Sequence, residues 1–221
     1  VGRRAAELWD PLTGAEQRLP QATTTGDRTT VPLRLAPFGS CFVVFPRRRV
    51  ASAPPSRAKT NWTEPRPVAT LDGAWQVIFD PALAGPGQVR FDDLADWTSR
   101  PEPGIRYYSG IASYHRTFER PAGRRVLLDL GRVEVMARVR LNGQDCGTLW
   151  CAPWQVDLTS ALRDGSNTLE IEVANLWPNR LIGDARDRAH AFTRTTHQPY
   201  GPDSPLLPSG LLGPVRLLTE P

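Results

Sequence analysis

The stretch that most constrains the fold runs from residue 135 to residue 184. Val135, Ala137, Val139 and Leu141 alternate with Met136, Arg138 and Arg140, the period-two pattern of a strand with one buried face. Asn142-Gly143 follows at once. Both central positions of a type I′ turn need positive φ, and Asn-Gly supplies them best, so the pair predicts a tight hairpin. A return strand is expected over residues 144–149, delivering Trp150 and Trp154 around Pro153. A third strand then leads to Trp177-Pro178-Asn179-Arg180. If the chain meets a ligand, this region is where the contact is expected.

The 221 residues, 40% hydrophobic and 23% charged, suffice for one large or two modest domains with a buried core. No apolar run approaches the roughly 18 residues of a membrane-spanning helix, so no membrane partner is expected. The formal charge of +4 raises the question of nucleic acid. The basic residues are nearly all Arg, with Lys59 the single lysine, and they are spread along the chain apart from Arg47-Arg48-Arg49. A nucleic-acid binder concentrates charge on one face or tail, so arginine-biased composition accounts for the balance and no nucleic-acid partner is expected. Cys41, Cys146 and Cys151 form no Cys-x-x-Cys pair, and His115, His190 and His197 lack metal-finger spacing. Cys146 and Cys151 are within reach across the aromatic loop, but buried free thiols are the expectation, which leaves the redox compartment open. The start, Val-Gly-Arg-Arg, has neither Met nor an apolar signal segment and reads as an internal cut, so a C-terminal piece of a longer chain is expected.

Residues 1–50 read as the C-terminal part of a β-sandwich domain. Leu8-Trp9-Asp10-Pro11 leads to a Thr13-Gly14 turn, Val31, Leu33 and Leu35 alternate as an edge strand marked by Pro32, and residues 40–45 form an apolar run expected as a core strand. Residues 51–67 are rich in Pro, Arg and Ser, the composition of a linker. Asn61-Trp62-Thr63 matches an N-glycosylation acceptor, a motif too short to carry weight. Residues 68–221 hold eight expected strands, at 74–80, 89–91, 113–118, 125–129, 135–141, 144–149, 168–174 and 215–218. One helical turn is expected at 157–162 with Asp157 as N-cap. Short strands with regular turns predict an all-β antiparallel sandwich. Residues 98–110 and 175–213 fit no strand, and long irregular connections are usually functional or interface-forming.

Several segments are familiar in order and spacing. Pro103-Gly104-Ile105-Arg106-Tyr107-Tyr108-Ser109-Gly110 and Ser113-Tyr114-His115-Arg116-Thr117-Phe118 resemble the sugar-binding sandwich attached to large glycoside hydrolases. So do Leu141-Asn142-Gly143 through Trp150, and Pro153-Trp154-Gln155-Val156-Asp157-Leu158. The broad resemblance is to the galactose-binding-like jelly roll of the family 2 β-galactosidase group. A closer one rests on Asn175-Leu176-Trp177-Pro178-Asn179-Arg180-Leu181-Ile182-Gly183-Asp184 and Ser209-Gly210-Leu211-Leu212-Gly213-Pro214-Val215. Those segments resemble glycoside hydrolase family 106, the α-L-rhamnosidases. Residues 8–11 and 38–45 are similar to the domain that precedes the jelly roll there. The resemblance implies a galactose-binding-like jelly roll preceded by a partial β-domain. It implies a bacterial enzyme, periplasmic or secreted, acting on plant or bacterial polysaccharide. It also implies a catalytic barrel domain upstream in the same polypeptide as partner, and carbohydrate as ligand. Catalytic carboxylates in that family lie in the barrel, and no matched motif brings one here, so no catalytic residue is expected in this chain.

The residues themselves agree. Glu170 and Glu172 share a strand face about 7 Å apart, but a glycosidase needs its carboxyl pair in a cleft, and exposed strand carboxylates are ordinarily just solvated. Asp92-Asp93 and Asp184/Asp187 lack a partner base. Ser109, His115 and Asp96 would supply a triad in name only, since no nucleophile-elbow motif is present. Sugars offer C–H faces to aromatic rings and hydroxyls to planar hydrogen-bonding groups. On that chemistry the candidate carbohydrate-binding residues are Trp150, Trp154, Trp177, Asn179, Arg180, Asp184, Arg106 and Tyr108, with packing of loops or of a neighbouring domain as the alternative for each aromatic. Arg180, near Asp184 and Asp187, is expected to form an ion pair pinning the loop. No cofactor is expected. A structural calcium would suit loop carbonyls and Asp side chains, but no spacing locates a site. Three functions compete: an accessory sandwich of a glycoside hydrolase, an autonomous carbohydrate-binding module, and a purely structural interdomain scaffold.

Overall fold

A computed structural model describes residues 5–36, 39–46 and 59–220. The chain divides into two compact units, Val1–Glu64 and Pro65–Pro221. The Arg47-Arg48-Arg49 cluster, Phe38 and residues 51–58 of the expected linker lie outside the described residues.

In the first unit β1 (Glu7–Trp9) lies between β2 (Glu16–Arg18) and β5 (Phe42–Val44), while β3 (Thr23–Thr25) and β4 (Arg28–Thr30) form a separate hairpin. The Asp10 carboxylate accepts from the Leu12 N–H at 2.8 Å and the Thr13 hydroxyl at 2.8 Å, closing the β1–β2 turn. Two expectations are corrected. Residues 31–35 form no strand, and Leu33 and Leu35 are exposed. The 40–45 run yields only three strand residues, with Phe42 exposed rather than in the core. The physical reason is size: among the described residues of this unit the apolar core is Ala6, Leu8 and Leu19, with Val31, Val43 and Trp62 packed against it. The end of the expected linker is itself structured. Asn61 is buried, donates from Nδ2 to the Pro32 carbonyl at 3.1 Å and accepts from the Gln21 N–H at 2.9 Å.

The second unit carries β6 (Arg66–Thr70), β7 (Trp75–Phe79), β8 (Gln88–Phe91), α1 (Pro103–Arg106), β9 (Ile111–Glu119), β10 (Arg125–Asp129), β11 (Arg132–Glu134), β12 (Met136–Leu141), β13 (Gln144–Leu149), β14 (Gln155–Asp157), β15 (Ser166–Ala174), α2 (Pro178–Arg186), β16 (Gly210–Gly213) and β17 (Arg216–Glu220). Six strands order as β13-β12-β15-β9-β7-β8, four as β14-β10-β17-β6, and β11 pairs with β16. These strand pairings are antiparallel. The all-β antiparallel sandwich is therefore present. Alternation drives it: Ala137, Val139 and Leu141 on β12 and Leu169, Ile171 and Val173 on β15 are fully buried, and they meet Val126, Leu128 and Leu217 of the opposing sheet in one core. At the hairpin Asn142 and Gly143 have φ of 54° and 81°, as a type I′ turn requires. The expected helical turn at 157–162 is a turn only, held by the Asp157 carboxylate accepting from Thr159 N–H at 2.9 Å. Among the described residues no helix is long and apolar enough to cross a membrane.

One side of the core is aromatic. Phe79 packs edge-on against Tyr108 at 5.0 Å and Trp97 at 5.3 Å, and Trp97 Nε1 donates to Tyr114 Oη at 2.6 Å. Tyr114 Oη also accepts from the Leu211 N–H at 3.2 Å, and burial pushes its phenol far above the ordinary range. Tyr114→Phe would strand both donors in the core. Each unsatisfied donor costs about 1–3 kcal/mol, so a loss of roughly 2–4 kcal/mol is expected, seen as a lower urea midpoint with an unchanged slope.

Candidate functional site

The candidate site is built on α2, in a segment that the sequence left irregular. Pro178 occupies the first helical turn, where its missing N–H is no loss, and Arg186 sits in the last turn. The helix buries Asn179, Ile182, Gly183 and Asp184. Gly183 is required by proximity: a Cβ there would lie 2.7 Å from Cβ and Cγ of Tyr107, just past α1.

Polar side chains anchor the root of α2. Asn175 Nδ2 donates to the Tyr108 carbonyl at 2.8 Å, and its Oδ1 accepts from Gly110 N–H at 3.0 Å. Ser109 donates to the Leu176 carbonyl at 2.9 Å. Asn179 donates to the Leu207 carbonyl at 2.7 Å and accepts the Leu207 N–H at 2.8 Å. One turn on, Arg180 Nη2 and Asp184 Oδ1 are 2.9 Å apart, with 12% and 5% of their side chains exposed. This is the ion pair expected from the sequence. Asp184 Oδ2 accepts from Thr193 N–H at 2.7 Å and Oγ1 at 2.6 Å, tying residue 193 to the helix. The pair is close but not aligned, and Asp184 Oδ1 and Arg180 Nε make no hydrogen bond within the protein. Burial raises the Asp184 pKa, but the Thr193 hydroxyl, the Thr193 and Phe192 N–H groups and the Arg180 charge outweigh it. The net result lies below the ordinary carboxylate value.

Cavities flank this pair. One of about 440 Å³ is bounded by Tyr107, Arg180, Asp184, Asp187, His190 and Phe192, and another of about 430 Å³ by Asp184, Arg188, Thr193, Arg194 and Gln198. His190 Nδ1 lies 3.0 Å from Asp187 Oδ2, both exposed. Two aromatic rings beside Arg, Asp and His match the apolar faces and hydroxyls of a sugar. A further concavity of about 860 Å³ lies on the outer face of the six-stranded sheet, along Gln76, Gln88, Arg90 and His115, but presents no exposed aromatic ring.

The structure sorts the sequence candidates. Arg180 and Asp184 line the cavity beside α2. Asn179 is buried in the helix root. Tyr108 is a correction: it is fully buried in the aromatic cluster, and its hydroxyl accepts Asp80 N–H at 3.1 Å and donates to the Ile111 carbonyl at 2.9 Å, so no face of it reaches a ligand. Arg106 is exposed, its guanidinium 5.9 Å from the Tyr107 ring centroid. Trp154 is half-buried against the core, whereas Trp150 and Trp177 are exposed. Register places the last two at one end of the six-stranded sheet, because Leu149 pairs with Ala137 and Ala174 with Met136. Asp187, His190 and Phe192 were not among the expected carbohydrate-binding residues, and Tyr107 rather than its neighbour Tyr108 lines the cavity. Their signal was the i,i+4 pair Arg180/Asp184, which points to a helix followed by a polar loop.

Neither Ser109, His115 and Asp96 nor Glu170 and Glu172 form a catalytic grouping. Ser109 is buried and bonded to Leu176, Asp96 accepts from Thr98 and Ser209 N–H groups, and His115 lies on the outer sheet face. Glu170 and Glu172 are both engaged by Arg140, at 3.4 and 3.3 Å. Cys41, Cys146 and Cys151 are unbridged and half-buried rather than buried, and burial raises the Cys146 thiol pKa. Among the described residues no three His, Cys, Asp or Glu side chains gather in a group that would hold a metal.

Residues 108–204 match the family model described as glycosyl hydrolase 2 galactose-binding domain-like. The structure is similar to a rhamnosidase from Novosphingobium sp. PP1Y, with TM-score 0.88 and 43% identity, over 99% of this chain and 21% of that one. A Formosa agariphila protein named "Putative beta-glucuronidase" is 39% identical over 189 residues, 72% of this chain and 16% of its own length. A β-glucuronidase from an uncultured Clostridium sp. shares the fold at TM-score 0.51 and 20% identity, over 69% of this chain and 29% of that one. Residues 108–204 thus resemble the galactose-binding-like sandwich of glycoside hydrolases, and the chain spans 21% of the length of that rhamnosidase and 16% of that of the Formosa agariphila protein.

Proposed function

We propose that this chain is the non-catalytic β-sandwich portion of an α-L-rhamnosidase-like glycoside hydrolase of family 106. It supports the catalytic barrel of the same polypeptide and touches carbohydrate through the cavity beside α2. The observation that carries the reading is the likeness to the rhamnosidase across nearly the whole chain. Tyr107, Phe192, Asp187 and His190 around the Arg180–Asp184 pair support sugar contact, since they combine stacking rings with donors and acceptors. Asp184 and Arg180 hold the loop at residue 193, and the exposed side chains then meet sugar hydroxyls. The substrate in this reading is a plant or bacterial polysaccharide bearing rhamnose, and the place of action is periplasmic or extracellular.

The test uses the longer polypeptide. His190→Ala and Phe192→Ala alter exposed side chains and should leave folding intact. Each is expected to raise KM for rhamnosyl oligosaccharides about 5–30-fold, the value of a lost hydrogen bond or stacking contact of roughly 1–2 kcal/mol. Turnover of a small aryl rhamnoside, which lacks the further sugar units proposed to occupy the cavity, should stay within about two-fold. An unchanged KM for the oligosaccharide overturns the contact.

A further inference from the structure

Large apolar side chains gather at the end of the six-stranded sheet where β12 begins. Met136 pairs with Ala174, and Ala174 pairs with Ile111, so Met136 and Ile111 share the terminal row. Val135 precedes Met136 and donates its N–H to the Ala174 carbonyl at 2.9 Å. Trp150 follows the last residue of β13, and Leu176 and Trp177 follow the end of β15. Trp150 is 60% exposed and Trp177 56%, and Ile111, Val135, Met136 and Leu176 are each at least 38% exposed. Single exposed apolar residues are ordinary, but six at one end of one sheet are not.

We propose that this end is the docking surface for the remaining part of the glycoside hydrolase polypeptide. The proposal rests on the functional reading above. The chemistry favours protein over sugar at this end. Asn175 and Ser109, the polar side chains on either side of this end, are committed to backbone groups at Tyr108, Gly110 and Leu176 rather than offered to a sugar. Trp, Met and branched aliphatic residues are the composition of an interface centre. The occupant follows from proportion: the fold of this chain recurs as 21% of the rhamnosidase polypeptide, so most of that protein is available to cover such a surface. Trp150 and Trp177 thereby separate from Arg180 and Asp184, the former serving protein contact and the latter the carbohydrate cavity.

Hydroxyl-radical footprinting read by mass spectrometry tests this without altering the sequence. Met136, Trp150 and Trp177 are expected to oxidise readily in this chain and several-fold more slowly in the longer polypeptide. Equal oxidation in both overturns the surface. Protection that appears in this chain alone as its concentration rises assigns the patch to a second copy and also overturns it. Rhamnoside turnover by the longer polypeptide is measured in parallel. Turnover with unprotected tryptophans sinks the surface and leaves the functional reading, whereas protection without turnover does the reverse. Trp150→Ser provides a second readout: it should leave the melting of this chain within about a degree while lowering that of the longer polypeptide by several degrees, and equal shifts would contradict the proposal.

Discussion

Gly210→Ala is expected to destabilise the second unit by about 3–5 kcal/mol, lowering its melting temperature by roughly 10 °C. Gly210 sits at φ +102°, where L-residues are strained, and an added Cβ would lie 2.4 Å from Trp97 Nε1 and 2.7 Å from Cδ1 and Cε2. The indole cannot retreat. Trp97 is fully buried, packs against Phe79 and Tyr108, and donates to Tyr114 Oη at 2.6 Å. Backbone strain of about 1–2 kcal/mol adds to overpacking of about 1–3, and a broken buried hydrogen bond adds further. Gly143→Ala separates the contributions, because Gly143 has φ +81° but nothing within 4 Å of the added Cβ. Only the backbone cost, about 1–2 kcal/mol, is expected there. Comparable losses at the two sites would show that the Trp97 contact is not what makes Gly210 necessary.

Asp184→Ala is the second large effect. It leaves Arg180 with 12% of its side chain exposed and no counter-charge, and it releases Thr193. Breaking a buried pair from one side costs about 3–5 kcal/mol, and the remaining exposure of Arg180 argues for the lower end, about 3 kcal/mol. The double variant Arg180→Met/Asp184→Leu should cost far less than the two single changes together, since no charge is left buried. The pH dependence has a definite sign. The Asp184 carboxyl lies below its ordinary value in the folded state, so its contribution is complete above the usual carboxylate range near pH 4 and fades as pH falls through the folded value. The stability gap between the native chain and Asp184→Asn should therefore be constant from pH 6 to 8 and shrink below about pH 4. A gap that persists in acid would mean that the carboxylate charge is not the stabilising group.

Much of the sandwich was legible because its strands depend on local pattern. Residues 125–129 and 144–149 were expected with the bounds observed, and the Asn-Gly turn brings Leu141 opposite Gln144, although a bulge at Cys146 then shifts the register by one residue. What escaped were elements made by tertiary contact. β16 is Gly-Leu-Leu-Gly, poor in strand propensity, and exists because β11 pairs with it and Gly210 fits under Trp97. β6 contains Pro67 and stands at the edge of its sheet, the position that Pro tolerates, and the proline-rich composition around it hid it. α2 was hidden by a central glycine and a polar sequence, and its reason lies in Tyr107, far away in the chain. The candidate site was half legible for the same reason. The Arg180–Asp184 pair could be anticipated from spacing, whereas Tyr107, His190 and Phe192 join it only through the fold. Tyr108 misled because an aromatic in a loop segment looks alike whether it faces a sugar or the core; only its contacts with Phe79 and Trp97 decide.

The function proposed above, part of a rhamnoside-cleaving enzyme that does not itself perform the cleavage, can be tested directly. The most direct measurement compares this chain and the longer polypeptide on an aryl α-L-rhamnoside and an aryl β-D-glucuronide. The account predicts turnover of the rhamnoside, and not of the glucuronide, by the longer polypeptide, and no turnover of either by this chain alone. Rhamnoside hydrolysis by this chain alone, or glucuronide hydrolysis in place of rhamnoside hydrolysis by the longer polypeptide, would contradict it.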